Sequence, residues 1–144
     1  VPVQQIASLD EAAVLQLHQL YQREWWSQGR SLDETRSILQ NSSLVFGFVE
    51  EDGTLVAFAR VLTDFTAHAV IYDVIVAESH RRHGLGRQLM DAIVSHPRLT
   101  DVRAVWLCCL GDMVPFYRKW DFEPGDEKLQ WMIRPRQTSD MEST

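Results

Sequence analysis

The chain has 144 residues, 45% apolar and 24% charged, with a formal net charge of −6. It is long enough for one cored domain and cramped for two, and its acidic balance disfavours a general electrostatic grip on nucleic acid or anionic lipid while favouring cationic, amine-bearing partners. No apolar run reaches membrane-spanning length, and Val1 to Asp10 lacks the basic-then-apolar layout of a signal peptide. The two cysteines, Cys108 and Cys109, are neighbours and offer neither a disulfide framework nor a spaced metal motif. The expected setting is the cytoplasm or an equivalent reducing interior, with no membrane and no nucleic-acid partner.

Ser8-Leu9-Asp10-Glu11 has capping-box spacing ahead of Ala12, Leu15, Leu17, Leu20 and Tyr21, which predicts a helix over Leu9 to Trp25. Ser31-Leu32-Asp33-Glu34 repeats the signature after Gly29 and predicts a second, shorter helix carrying Ile38 and Leu39. Leu44 to Val49 and Leu55 to Leu62 flank Asp52-Gly53 and read as a hairpin. Ala69 to Val76, almost wholly apolar, reads as a central strand covered on both faces. Leu85, Leu89, Ile93 and Val94 form a helical stripe closed by Pro97. Val102 to Cys109 reads as a buried strand, Met113 to Trp120 as a short helix, and Lys128 to Ile133 as a last strand before a polar tail at 136–144. Two strand-helix-strand crossings predict an α/β fold, a mixed sheet with helices on both faces, in a single domain over 1–135.

The segment Arg81-Arg82-His83-Gly84-Leu85-Gly86-Arg87 lies between the central strand and the next helix. A helix start leaves backbone N–H groups unpaired, glycines let an anion approach the main chain, and arginines add charge-assisted contacts. The same residues would equally serve as a helix entry with solvated arginines. The dinucleotide fingerprint fails at Leu89, and no Gly-Lys-Ser/Thr follows to make a P-loop.

Arg81-Arg82-His83-Gly84-Leu85-Gly86 resembles the Arg/Gln-x-x-Gly-x-Gly/Ala signature of the GCN5-related N-acetyltransferase (GNAT) superfamily. Downstream, Pro115-Phe116-Tyr117-Arg118-Lys119-Trp120-Asp121-Phe122 resembles its Phe/Leu-Tyr-x-x-x-Gly-Phe segment. The resemblance implies a mostly antiparallel central sheet with one splayed parallel pair and flanking helices. It implies acetyl-CoA as co-substrate and no metal. The residues it assigns to the cofactor are Arg81, Arg82, His83, Gly84, Leu85, Gly86 and Arg87 at the pyrophosphate, with Val74, Ile75 and Val76 along the pantetheine arm. Two positions depart from the pattern: Leu110 stands where members often carry Asn, and Asp121 replaces the Gly of Gly-Phe.

Acetyl transfer needs a neutral amine, a polarised carbonyl and a proton for the departing thiolate. Tyr117 matches the family's general acid, and an unperturbed phenol, with a pKa of about 10, holds its proton at neutral pH. Tyr72 and Asp73 lie on the central strand near the expected reaction centre. Alternation sends them to opposite faces unless a bulge re-aims one, which leaves Asp73, Tyr72 or a water chain open as the base. Trp25, Trp26 and Asp112 are candidate acceptor contacts, as are Asp64 and His68, with cation–π attraction as the physical reason for the tryptophans. His80, His83 and His96 lack the spacing of a helical metal pair. Cys108 and Cys109 alternate across their strand, one toward the core and one toward the cofactor groove.

The expected activity is acetyl-CoA-dependent N-acetylation of a primary amine on a small molecule, polyamine-like in view of the acidic charge, by a monomer or homodimer. The alternatives are acetylation of a protein or peptide amine, a catalytically degenerate acyl-CoA sensor, and an unrelated phosphate-binding α/β domain.

Overall fold

A strand that the sequence pattern does not announce opens the fold: β1, Val3–Ile6, is short and half polar, and it is held by backbone pairing to β2, Leu44–Glu50. Between them lie α1, Glu11–Gln22, and α2, Leu32–Gln40. Asp10, not Ser8, caps α1, its Oδ1 accepting from the Ala13 amide at 2.9 Å; an extended Asp beside the first turn satisfies an orphan amide and the helix dipole together. The helix ends before Trp25, three residues short of the expected end. The Ser31/Glu34 capping box of α2 forms in both directions.

The computed structural model describes residues 2–137, in two compact units that divide between Leu110 and Gly111. The first holds a five-stranded sheet ordered β1-β2-β3-β4-β5, with β3 at Leu55–Thr63, β4 at His68–Val76 and β5 at Ala104–Leu107. All neighbours are antiparallel except the parallel pair β4 and β5, which α3, Leu85–Val94, connects. Gly53 makes the β2–β3 turn at a φ of 86°, where a side chain would be strained.

Helices cover both faces. On one, Leu17, Leu20 and Tyr21 of α1 pack with Leu55, Phe58 and Ile75, and Ile38 and Leu39 of α2 lie beside them. On the other, α3 buries Leu85, Leu89, Met90 and Ile93, and Phe46 meets the ring of His96 just past that helix. Full burial of a side chain such as Leu17 contributes about 2 to 3 kcal/mol each.

The second unit carries a 3-10 turn, then α4, Val114–Tyr117, then a further 3-10 turn ending at Asp121, whose φ of 66° is left-handed. Asp tolerates that region better than most residues, so the position usually taken by Gly keeps its turn. Phe116, Tyr117, Trp120 and Phe122 make edge-on ring contacts there.

Two expectations are corrected. The strand predicted over Lys128 to Ile133 does not form: no ladder among the described residues includes it, and Leu129, Trp131, Met132 and Ile133 are exposed. Alternating apolar residues supply propensity, but a strand exists only through a ladder partner. The strand at Val102 to Cys109 shrinks to Ala104–Leu107 and is half-buried, leaving both cysteines exposed instead of one in the core. The polar tail expected at 136–144 lies outside the described residues from 138 onward.

Candidate active site

The β4–β5 pairing ends at Ile71 opposite Leu107, while β4 continues to Val76 along β3. The edge of Tyr72 to Val76 turned away from β3 therefore has no strand partner among the described residues, and its backbone groups, the Val76 carbonyl taken by Arg81 apart, are available to a ligand. Val74, Ile75 and Val76 all lie on this stretch.

Within it the ladder slips. Phe58 faces Ile75 and Arg60 faces Tyr72, so Asp73 and Val74 together oppose Ala59. Asp73 is the residue that turns, at a φ of 58°, the left-handed conformation a bulge needs and Asp accepts. The bulge removes the alternation: Arg60 stacks its guanidinium 5.0 Å over the Tyr72 ring and also donates from Nε to Asp73 Oδ2 at 2.7 Å. Tyr72 and Asp73 thus meet the same side chain.

Asp73 is enclosed, its side chain 5% exposed. Oδ2 accepts from Tyr21 Oη at 2.9 Å, from Arg30 Nη1 at 2.9 Å and from Arg60 Nε. Burial first, then the Asp73 charge and hydrogen bond, push the Tyr21 phenol well above its ordinary value, outweighing the two arginines; it stays a neutral donor. Arg30 lies 4.5 Å over the Tyr21 ring and 5.6 Å over Trp26, whose ring meets Tyr21 edge-on. Trp25 is 71% exposed.

Tyr21, Arg30 and Arg60 are absent from the site residues that the sequence suggests, Tyr21 entering there only as a residue of the first helix. A signal existed for one of them: Arg60 is the lone charge in the otherwise apolar stretch Leu55 to Leu62, and a charge on a buried strand requires a partner. Nothing local distinguishes Tyr21 or Arg30.

Past Val76 the chain is fastened before it opens. Ala77 donates to the Val56 carbonyl, and His80 Nε2 meets Glu50 Oε1 at 2.7 Å. Arg81 donates to the Val76 carbonyl and to Glu24 at 3.0 Å, which occupies a guanidinium that the resemblance assigns to a phosphate. Arg82 and Gly84 are both left-handed, at φ of 69° and 80°. Gly84 is the N-cap of α3 and provides no side-chain cap, so the amides of Leu85, Gly86 and Arg87 have no intrahelical acceptor. A Cβ on Gly84 would meet nothing within 4 Å. Open space before unpaired amides, with the Arg82 and Arg87 side chains making no hydrogen bond or ion pair among the described residues, fits a pyrophosphate.

Asp64 caps the β3–β4 turn, its Oδ1 accepting from the amides of Thr66, Ala67 and His68, which hold its carboxyl below the ordinary carboxylate range. His68 accepts from Trp106 Nε1 at 2.9 Å. These are local structural roles. In the second unit, Asp112 is exposed on the first turn, and Tyr117 ends α4, buried, with its ring against Phe116 and Phe122. No group of three or more potential metal ligands occurs among the described residues.

The sequence model of the acetyltransferase (GNAT) family matches residues 11–122. An uncharacterized N-acetyltransferase, ycf52-like, from Prochlorococcus marinus is 30% identical over 133 residues, 88% of this chain and 72% of its own. Serotonin N-acetyltransferase 2, chloroplastic, of Oryza sativa subsp. japonica is 30% identical over 118 residues, 80% of this chain and 59% of that protein. Among solved structures, a GNAT-family protein from Xanthomonas campestris pv. campestris superposes with a TM-score of 0.78 at 30% identity, covering 92% of this chain and 94% of the other.

Proposed function

Because the chain belongs to the acetyltransferase (GNAT) family, we propose that it transfers the acetyl group of acetyl-CoA to a primary amine of a small molecule. The observation that carries this reading is the continuity of two ligand-ready backbones. The unpaired edge at Tyr72 to Val76 leads through a fastened loop into the uncapped start of α3 at Gly84. A long ligand with an amide-bearing arm and a pyrophosphate matches both features, the arm as an added strand and the phosphates at the helix amides.

In the reaction, the amine nitrogen attacks the thioester carbonyl, the C–N bond forms, the C–S bond breaks, and the thiolate takes a proton. Tyr117, matched by motif, is assigned the proton delivery. Asp73, with three donors on one oxygen and almost no exposure, is assigned a positioning role, since an enclosed oxygen already accepting three hydrogen bonds is not within reach of an incoming amine. Deprotonation of the amine then falls to Tyr72, which is 38% exposed, or to water. The net charge of −6 favours a cationic acceptor reaching the surface, whereas the local balance at the bulge is two guanidinium groups to one carboxylate. Of the two family departures, Leu110 is exposed, and Asp121 keeps the left-handed turn and so removes one of two reasons to read the chain as a sensor.

The test is thiol release from acetyl-CoA with a panel of primary amines, followed by Tyr117→Phe. Turnover that collapses in the variant while CoA affinity is retained supports the reading. Tight CoA binding without turnover of any amine supports the sensor instead.

A further inference from the structure

Arg30 and Arg60 both line a cavity of about 360 Å³ whose other walls are Glu34, Ser37, Ile38, Asn41 and Leu62. Arg60 is 12% exposed and spends only its Nε on Asp73, out of the five N–H donors a guanidinium carries. Among the described residues, no buried side-chain nitrogen lacks a partner, and the Nη groups of Arg60 make none of the hydrogen bonds, so they are open to solvent on a residue that lines the cavity. Arg30 likewise commits Nη1 alone. The charges do not cancel at the bulge: two guanidinium groups share one carboxylate, and the Tyr21 phenol stays neutral. Glu34 is the remaining acid in the wall; it keeps its charge, but its Oε1 is turned to its own helix, accepting from the Ser31 amide at 2.9 Å in the capping box, so the seat rests on the free N–H donors of the two arginines and not on an excess of positive charge in the wall.

Resting on acetyl transfer as the activity, we propose that the acceptor amine carries an oxyanionic group, a carboxylate or phosphate, which the free N–H donors of Arg60 and Arg30 hold in this cavity. Planar forks of donors in a half-dry wall are satisfied by two-oxygen anions. A polyamine would place like charge against them, and the distant acidic surface is screened beyond roughly 8 Å at physiological salt. Asp73 then sets the orientation of both arginines from behind.

The experiment measures thiol release with matched pairs of amines: β-alanine against propylamine, phosphoethanolamine against ethanolamine, and putrescine as the cationic case. The expected result is a kcat/KM at least about tenfold higher for the acid-bearing member of one pair, with putrescine poorest; which pair responds separates carboxylate from phosphate. In Arg60→Gln that preference shrinks to within about threefold while CoA affinity holds. Arg30→Gln, at a more exposed position, repeats the test where Arg60→Gln fails to fold, and propionate or inorganic phosphate competing with the amine gives a readout on the unaltered protein. Equal rates within both pairs, putrescine as the best acceptor, or a preference that survives both variants overturns the anion seat and leaves acetyl transfer standing. No thiol release with any amine overturns the activity itself, and the seat with it.

Discussion

Arg60 on β3 and Asp73 on β4 are joined at 2.7 Å, although the ladder sets Arg60 opposite Tyr72. The link exists because Asp73 takes a left-handed turn and two residues of β4 oppose one of β3. Asp73→Asn tests its weight, since Asn accepts the same backbone and keeps one acceptor oxygen. Two guanidinium groups then lose their counter-charge in a mostly enclosed place, at a cost of about 2 to 3 kcal/mol. Urea unfolding with an unchanged slope is the measurement. A loss near the few tenths of a surface pair would mean that solvent already balances the arginines.

The same network has an alkaline signature. In the unfolded chain Tyr21 ionises near pH 10 or so, whereas burial and Asp73 push the folded phenol well above that. Above about pH 10 the unfolded state sheds a proton that the folded state keeps, so the contribution of Tyr21 is complete below that pH and declines as pH rises toward the folded value. The stability gap between the unaltered protein and Tyr21→Phe should be constant from about pH 7 to 9 and shrink by pH 11 or so. A constant gap across the whole range would place the phenol at its ordinary value.

At the loop, glycine and arginine separate. Gly84 sits at a φ of 80° with open space where its Cβ would be, so a Cβ there clashes with no protein atom; a side chain strains the backbone and fills the anion's approach. Gly84→Val should weaken CoA binding by about tenfold or more, and Arg82→Ala by no more than about threefold, because an exposed guanidinium adds a screened contact. Calorimetric titration with CoA decides, and the reverse order would count against backbone amides as the main hold.

Much of the first unit is written locally. The Ser31/Glu34 capping box, the Asp52-Gly53 turn and the Leu85-to-Val94 stripe each form where pattern places them, because caps, turns and amphipathic faces are properties of a few adjacent residues. What depends on distant partners was not legible. β1 exists through its pairing to β2, where a Cβ on Gly47 would stand 2.9 Å from Ile6. The predicted strand over Lys128 to Ile133 lacks such a partner. The loop proposed to hold the cofactor is legible as a motif. The Tyr21, Arg30 and Arg60 shell around Asp73 was not, since three elements and a register slip combine to build it.

The adjacent tryptophans divide by the same reasoning. Trp26 touches Tyr21 edge-on and lies under Arg30, contacts contributing about 1 to 2 kcal/mol together. Trp26→Ala should therefore lower stability by that order and loosen Arg30, raising the KM for the acceptor as well. Trp25 is 71% exposed, and its removal should shift stability by less than about 0.5 kcal/mol. If Trp25 forms part of the acceptor wall, Trp25→Ala raises the acceptor KM with the melting temperature unmoved and with KM for acetyl-CoA unchanged. A Trp25→Ala protein with unaltered KM for every acceptor removes that residue from the site and leaves Trp26, through Arg30, as the aromatic that matters.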